Sequence, residues 1–310
     1  LKAVSVGYRI KGLFEGRSAG QLYSVHRNSA YFSMGMGSLL LIHDSIIGGI
    51  PFGICADIET GYFKKIGLDR EMQIDISDRS LFIPEADLRS DLGGAMVWYP
   101  EVIKTESISP LRAEVNLDHA LRLVTRLGSK QGLGELSLIL DDLFLGRSSR
   151  CKQLNRLCQA CFEPLAELIA GIKKNDLLLV EHSLPSLIGL GIGLTPSMDD
   201  LITGLISTLN LFCDRLPGGC EFVSAVGRSI CKLSNSKTTA VSQNNLMFAS
   251  QGDRFELLDD LIRSIHFSSG KDLFVKDGRL VSFGATSGTE LAIGLLLGMK
   301  FVLAERYATN

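Results

Sequence analysis

Short apolar runs separated by turn residues fill the first part of the chain, and longer helical patterns fill the rest. Up to about residue 108, segments rich in β-branched and aromatic residues alternate with Gly, Asn, Asp and Ser, which is typical of strands and turns. The spacing predicts a β-rich unit, a barrel or a sandwich, rather than alternating βαβ units. The predicted strands are Gln21–Val25, Ala30–Met34, Ser38–His43, Ile50–Ala56, Leu81–Ile83 and Ala95–Tyr99.

Beyond Pro110 the apolar positions recur at helical spacing. In the first helix, which runs to about Leu127, the predicted core positions are Leu111, Val115, Leu121 and Val124. The fold prediction is therefore α+β, with a β-rich domain over 1–109 packed on a mostly helical domain over 110–310. Further helices are predicted at 134–144, 149–173, 176–182, 197–212, 220–233, 239–250, 254–265 and 289–306.

Composition is that of an ordinary folded, water-soluble chain. Of 310 residues, 21% are charged and 45% hydrophobic, which excludes a disordered protein, and a formal charge of -2 gives no basic field for nucleic acid. The apolar run 291–299 ends at Lys300, short of the ~20 residues of a membrane-spanning helix. The first residues lack the apolar core of a secretory signal. We therefore expect a cytoplasmic protein with neither nucleic-acid nor membrane partners.

The cysteines and histidines do not predict a metal centre. The cysteine count is odd, at 7, which does not favour a disulfide framework in a chain this long. Cys158 and Cys161 form a C-x-x-C, but they share one helix face with Cys151 and no second pair follows. We predict that these three are buried small side chains rather than metal ligands.

The most unusual segment is a glycine-rich loop that begins at Gly189 and leads into a helix. Gly191 and Gly193 continue the alternation, and Thr195 followed by Pro196 predicts a hydroxyl N-cap with proline in the first helical position. Such a loop offers backbone N–H groups and a positive helix end to an anion. Neither the Walker A nor the Rossmann glycine pattern is present. The alternative is a tight turn before a capped helix, with no ligand.

Two adjacent acids, Asp199 and Asp200, follow Ser197 at the start of this helix. Two carboxylates repel a bare phosphate, so either they hold a Mg²⁺ ion that bridges to it or they accept hydrogen bonds from an amide NH₂ group beside it. They are the candidate catalytic residues. Mg²⁺ is the one cofactor these residues would suit, and no other cofactor is indicated. The candidate ligand-binding residues of this segment are Gly191, Gly193, Thr195 and Ser197.

Two further segments combine hydroxyl groups with a predicted helix start. One is Lys237-Thr-Thr-Ala-Val-Ser242, and the other is Gly284-Ala-Thr-Ser-Gly-Thr-Glu290, which shares a Thr-x-x-x-acid spacing with the glycine loop 91 residues earlier. This spacing indicates either an internal repeat or two similar helix starts. We predict that the three starts converge on one pocket for a small polar anion, the alternative being that each hydroxyl caps only its own helix. The added candidate ligand-binding residues are Lys237, Thr238, Thr239, Ser242, Thr286, Ser287, Gly288 and Glu290.

Together, and in this order, the three segments resemble the AllH-like family, whose named member is a subunit of oxamate carbamoyltransferase. Family members show GxGPGLTPSxDD, TTxVSxxxLxxAxxG and GxTSGxDxLxG, and this chain carries GLGIGLTPSMDD, TTAVSQNNLMFASQG and GATSGTELAIG. The resemblance covers roughly residues 185–305 of the printed chain. Ile192 replaces the loop proline, Glu290 replaces the usual Asp, and Thr289 stands at a variable position that is often bulky.

The resemblance implies a subunit of a carbamoyltransferase complex in allantoin degradation, one that acts on oxalurate, oxamate and carbamoyl phosphate. It therefore also implies other subunits as partners. Two further classes stay open. GLTPS resembles the GLxSS loop of small-molecule kinases, which would make the protein a phosphate- or nucleotide-binding kinase-like chain. Alternatively, the chain is a non-catalytic scaffold subunit that completes the site of another chain.

Overall fold

The structure is a computed structural model that describes residues 1–14, 16–35, 38–69, 72–103, 110–148, 150–267 and 278–308. The chain divides into two compact units. The first comprises Leu1–Glu101 with Arg254–Leu257, and the second comprises Val102–Asp253 with Leu258–Asn310. Residues 104–109, where the predicted domain boundary falls, lie outside the described residues.

Within the described residues, the first unit is built on one nine-stranded sheet, curled into a half-barrel, with strand order β8-β7-β6-β2-β3-β4-β5-β1-β9. Neighbouring strands are antiparallel except for the pairs β4–β5 and β1–β9, which are parallel. The unit also holds the short helix α1. The bounds are β1 Ala3–Gly7, β2 Ser18–Val25, β3 Ser29–Ser33, β4 Leu39–His43, β5 Gly53–Ala56, α1 Tyr62–Lys65, β6 Gln73–Ser77, β7 Ser80–Ile83, β8 Leu88–Asp91 and β9 Met96–Trp98.

The central strands explain the apolar runs of the sequence. Every residue of β4 and of β5 is buried, so these strands read as continuous apolar segments rather than as alternating ones. At β6 the pattern does alternate, with Ile74 and Ile76 buried between more exposed polar neighbours. The sequence did not predict β1, β6 and β8; β6 and β8 are short and carry few apolar residues.

The second unit is mostly helical, which with the sheet confirms the α+β prediction. The second and third predicted helices begin differently from the prediction. The segment predicted as helix 134–144 starts with the 3₁₀ turn Gly134–Leu138, and the segment predicted as helix 149–173 contains the 3₁₀ turn Cys151–Gln153 before its α-helix. The helices are α2 Pro110–Leu127, α3 Leu140–Phe144, α4 Arg156–Lys174, α5 Leu177–Ser183, α6 Ser197–Leu211, α7 Gly219–Lys237, α8 Ala240–Ser250, α9 Glu256–Phe267 and α10 Ser287–Ala308.

Helices α6 and α10 form the centre of this unit and lie unusually close together. Residues 197–209 of α6 are all buried. A Cβ atom on Gly204 would stand 2.1 Å from the carbonyl oxygen of Leu291, and one on Gly294 would stand 1.9 Å from that of Leu201. Both distances are far inside van der Waals contact, so only glycine allows the two backbones to pack at this distance.

Two predictions about the helical unit are wrong. Leu111 and Val115 are 72% and 49% exposed, because α2 buries the face that carries Ala113, Leu117 and Ala120 instead. Cys213 and Cys220 form a disulfide, which the cysteine count did not predict. Cys158 and Cys161 are buried as expected, and burial raises the pKa of the Cys158 thiol to about 12.

Within the described residues, one helical stretch has the length and composition of a membrane span. It is Ser287–Ala304, with a mean hydropathy of 1.4, and it is longer than the apolar run considered from the sequence. Because 83% of this window is buried inside the unit, it has the surroundings of a central core helix, and its hydropathy is weak support for a membrane span.

Candidate functional site

The structure brings the three hydroxyl-rich segments into contact with one another. The Thr195 hydroxyl lies 3.0 Å from that of Ser287, which joins the glycine loop to the start of α10. The Thr238 hydroxyl donates to the Asp199 carboxylate, which joins the α7–α8 junction to the start of α6. The Thr239 hydroxyl donates to the carbonyl of Leu194 in the same loop. The three segments therefore form one cluster within the helical unit.

The glycine loop exposes its backbone. Gly189, Gly191 and Gly193 have φ values of 82°, 131° and 94°, which L residues adopt only with strain. In the described part of the chain, no acceptor receives the backbone N–H groups of 191–194. Ile192, between two of the glycines, is 91% exposed. The loop is thus a curved strip of free N–H donors at the protein surface.

The start of α6 differs from the sequence prediction. Pro196, not Thr195, is the N-cap residue, and no side chain caps the helix. The carbonyl of Pro196 accepts from the N–H groups of Asp199 and Asp200. The Met198 N–H donates to Leu190. Since the chain itself satisfies most of the first turn, the loop rather than the helix end supplies the free donors.

Asp199 is buried and fully engaged by the chain. One carboxylate oxygen accepts the Gly189 N–H at 2.8 Å, and the other accepts the Thr238 hydroxyl. Burial raises the pKa of Asp199, while the Thr238, Gly189 and Ser242 donors oppose the shift. Asp199 therefore ties the glycine loop to the α7–α8 junction.

Asp200 is the exception among the acids of the cluster. Its side chain is 3% exposed, and its Oδ2 atom has no hydrogen-bond partner among the described residues. Burial raises the pKa of Asp200 well above its ordinary value, and the nearby charge of Glu290 adds to the shift. The hydroxyls of Ser287 and Thr195, beside the carboxyl, oppose it. An unpaired carboxyl oxygen in such a place is costly unless a ligand or water occupies it.

Glu290 is buried completely, and both of its oxygens have partners. Oε1 accepts the Leu133 N–H at 3.1 Å, and Oε2 accepts the Thr286 hydroxyl at 3.1 Å. Burial raises the pKa of Glu290, and the Ser197 hydroxyl is the strongest opposing donor. Next to it, Gly288 packs on the carbonyl of Leu280, where a Cβ would stand at 1.8 Å.

Sequence reasoning missed a second glycine loop, residues 128–134, which closes on Glu290. Beyond the Leu133 contact, the Ser129 N–H donates to the Thr289 hydroxyl at 3.0 Å. At Gly132 a Cβ would meet Glu290 Oε1 at 2.1 Å and Ser197 Oγ at 3.1 Å. The only signal in the sequence is three glycines in seven residues, a pattern that a turn explains equally well.

The α7–α8 junction places its residues differently from the prediction. Lys237 ends α7, and its ammonium donates to the carbonyl of Pro185 at 2.9 Å. Thr238 is the C-cap of α7, whereas Thr239 caps α8 by accepting the Ser242 N–H at 3.2 Å. The hydroxyls therefore point into the cluster, and the ammonium of Lys237 is already bonded outside it.

The donor set favours hydrogen bonding over metal binding. Among the described residues, no group of three or more His, Cys, Asp and Glu side chains is arranged to hold a metal ion. Asp199 already has a donor on each oxygen, whereas Asp200 Oδ2 has none within the described chain. A Mg²⁺ ion held by these carboxylates with water and phosphate oxygens would have to displace the donors on Asp199, and its binding stays a prediction.

Two surface clefts lie away from this cluster. A cleft of about 510 Å³ in the sheet unit is lined by Tyr62, Ile66 and Arg89 among others. Another, of about 300 Å³, lies between α2, α3 and α10 and is lined by Leu117, Phe144 and Leu303 among others. These two clefts carry neither glycine loops nor unpaired buried carboxyls, so the chemistry of the site rests on the cluster instead.

Comparison with known proteins agrees with the position of the cluster. The family model described as oxamate carbamoyltransferase subunit AllH matches residues 187–299. This range contains the first glycine loop, the α7–α8 junction and the start of α10, and it supports a subunit of an oxamate carbamoyltransferase. No curated protein and no solved structure matches the chain. The loop 128–134 lies outside the matched range.

Proposed function

We propose that this chain is a substrate-binding subunit of an oxamate carbamoyltransferase that moves a carbamoyl group from oxalurate to phosphate and leaves oxamate. In this proposal the cluster binds a small anion that also carries an amide, as oxamate and oxalurate do, and the other subunits complete the reaction. The pathway would be the anaerobic breakdown of allantoin in the cytoplasm. The family match supports the subunit assignment, and the geometry supports the chemistry of the ligand.

One observation carries the proposal: Thr195 connects a strip of free donors to an acid with an unpaired acceptor. The N–H groups of 191–194 have no acceptor within the described chain, and the next residue, Thr195, has its hydroxyl beside the Asp200 carboxyl. A ligand oxyanion suits the N–H strip, whereas a ligand N–H suits Asp200 Oδ2. A bare phosphate would meet the strip but carries no N–H donor for the acid. A carboxylate next to an amide satisfies both.

The test measures the binding of oxamate, of carbamoyl phosphate and of ATP with Mg²⁺ to the full chain, each separately. Calorimetry and thermal shift report the binding. We expect oxamate or carbamoyl phosphate to bind and ATP to leave the melting temperature unchanged. Stabilisation by ATP alone would instead support a kinase-like protein. Binding of none of the three, also in the presence of the other subunits, would refute the proposal and favour a scaffold role.

Two matched glycine variants locate the site. Gly193 and Gly219 both have positive φ and open space where a Cβ would stand, but Gly219 starts α7 and lies outside the cluster. Gly193→Ala should lower oxamate affinity about tenfold or more, because strain displaces the N–H strip. Gly219→Ala, at φ 62°, should carry a smaller strain and leave the affinity unchanged. Equal affinities for the two variants would place the ligand elsewhere.

A further inference from the structure

Helices α6 and α10 carry the same local sequence, Ser-x-x-acid-Leu-x-x-Gly-Leu. Each residue of one copy stands 90 positions from its counterpart in the other, as Ser197 does from Ser287. The Thr-x-x-x-acid pattern, whose copies lie 91 residues apart, pairs Glu290 with Asp199. The 90-residue repeat instead makes Asp200 the counterpart of Glu290. The matching pairs are Ser197 with Ser287, Asp200 with Glu290, Leu201 with Leu291, Gly204 with Gly294, and Leu205 with Leu295.

The contacts between the two helices obey the same correspondence. A Cβ on Gly204 would meet Leu291 O at 2.1 Å and Leu295 N at 3.0 Å. A Cβ on Gly294 would meet the counterparts of those atoms, Leu201 O at 1.9 Å and Leu205 N at 2.9 Å. Exchanging the helices reproduces the contacts, so a local two-fold relation connects them.

The polar groups at the helix starts follow this relation. The Ser287 hydroxyl lies beside the Asp200 carboxyl, and the Ser197 hydroxyl lies beside the Glu290 carboxyl. Each serine therefore serves the acid of the opposite helix. The two starts are equivalent half-sites rather than two unrelated caps.

A glycine loop covers each half-site. Both loops read Gly-x-x-x-Gly-Leu, one ending in Leu194 and the other in Leu133. Each loop also donates one backbone N–H to a corresponding position of the helix below. Gly189 donates to Asp199 at 2.8 Å, and Ser129 donates to Thr289, the counterpart of Asp199, at 3.0 Å.

The two half-sites differ in the backbone partner of their acids. In the Glu290 half-site, the peptide N–H of Leu133 donates to the carboxyl at 3.1 Å. In the Asp200 half-site, the N–H of the corresponding Leu194 has no acceptor in the described chain, and Asp200 Oδ2 has no donor. The chain thus supplies a backbone amide to the acid of one half-site and none to Oδ2 of the acid in the other.

We propose that Asp200 is the specificity-determining residue for a ligand amide, whose N–H takes the place that the Leu133 peptide N–H takes at Glu290. Glu290 and residues 128–134 are then positioning residues that hold α6 and α10 in register and bind no ligand. The identity of the ligand rests on the proposed function, whereas the inequality of the two half-sites does not. The Leu133 amide at Glu290 is a planar N–H donor next to a carbonyl, and the ligand amide proposed for Asp200 has the same chemistry.

Oxamate and pyruvate test the amide. They have the same charge and nearly the same shape, and they differ in an NH₂ group that replaces a methyl group. We expect the full chain to bind oxamate about tenfold or more tightly than pyruvate, as one hydrogen bond to a buried acceptor predicts. In Asp200→Leu, which is similar in shape to Asp, the two affinities should become equal. Equal affinities in the unchanged protein, or a preference that survives Asp200→Leu, would overturn the assignment.

Unfolding experiments test the inequality of the half-sites without any ligand. Glu290→Met leaves the Leu133 N–H and the Thr286 hydroxyl without their acceptor, so the melting temperature should fall by roughly 2–10 °C. Asp200→Leu removes an acid that already lacks a partner on one oxygen, so the melting temperature should stay or rise. An equal fall in both variants would overturn the inference. If the unchanged protein binds neither oxamate nor carbamoyl phosphate, the proposed function fails together with the amide assignment, and the unfolding comparison still decides the inequality.

Discussion

A methyl group added at the crossing of α6 and α10 should separate the helices that build the site. In Gly204→Ala the new Cβ would stand 2.1 Å from the carbonyl oxygen of Leu291, where ordinary contact begins at 3.4 Å. The backbones must therefore move apart by about 1.3 Å, the difference between these two distances. The obstacle is the backbone of a buried helix, which cannot rotate away as a side chain can.

The magnitude follows from two opposing effects. Overpacking a core costs about 1–3 kcal/mol, and a backbone obstacle puts this position at the upper end of that range. Alanine is favoured over glycine within a helix by ~1 kcal/mol. The net expectation for Gly204→Ala is a loss of about 2 kcal/mol in the free energy of unfolding. Affinity for oxamate should fall as well, because Ser287 moves away from Asp200.

Urea unfolding followed by circular dichroism measures the loss, with Gly227→Ala in α7 as the control. A Cβ on Gly227 would lie 3.1 Å from its nearest neighbours in Ser250, which requires only a small adjustment. This variant should therefore be neutral or slightly more stable than the parent. If Gly204→Ala were as stable as the Gly227 control, the close crossing of α6 and α10 would not restrict this position, and the reasoning would be refuted.

Two further predictions concern the acids and the cap of α8. Burial raises the pKa of Asp200, so the folded chain keeps this proton to higher pH than the unfolded chain, and ionisation weakens the fold as the pH rises above about 4. The stability advantage of Asp200→Asn over the parent should therefore be larger at pH 8 than at pH 5, as measured by urea unfolding. An equal advantage at both pH values would contradict this. Thr239→Ala removes the hydroxyl that caps α8 and contacts Leu194, so it should lower the free energy of unfolding by about 1 kcal/mol. Thr239→Ser keeps the hydroxyl and should not lower it. Equal losses in the two variants would show that the hydroxyl is not the cause.

The sequence predicted most of the helical unit because its helices carry strong boundary signals. The pattern placed the start of α2 at Pro110 and the cap of α8 at Thr239, where the structure has them. The predicted core face of α2 was only partly right: Val124 is buried, but Leu111 and Val115 are exposed. Leu111 is as apolar as the buried residues, and periodicity alone does not say which side meets the core. The strand β8 was missed because a short polar segment such as Leu88–Asp91 gains its strand structure from pairing with β7.

Within the candidate site, the sequence predicted that three segments meet, but it did not predict the contribution of the glycine loop 128–134. Each of the three carries hydroxyls beyond what one helix cap needs, and that surplus is visible in one segment alone. The contact between Leu133 and Glu290 spans 157 residues and uses a backbone N–H, which every residue except proline possesses. Nothing in the local sequence can mark such a donor. That these residues bind a ligand remains a prediction.

The same contacts hold the core together and shape the site, which links stability to binding. Gly204 and Gly294 bring the two helix starts so close that each serine lies beside the acid of the other helix. Asp200 is buried and its Oδ2 atom is unpaired, which weakens the fold in the absence of a ligand. A ligand that pairs with this oxygen removes that cost and is bound by the folded chain alone. At about 100 times its dissociation constant such a ligand adds ~2.7 kcal/mol to the stability of the fold. The helical unit should therefore be less stable when empty than when loaded, and Asp200→Leu should reduce this difference.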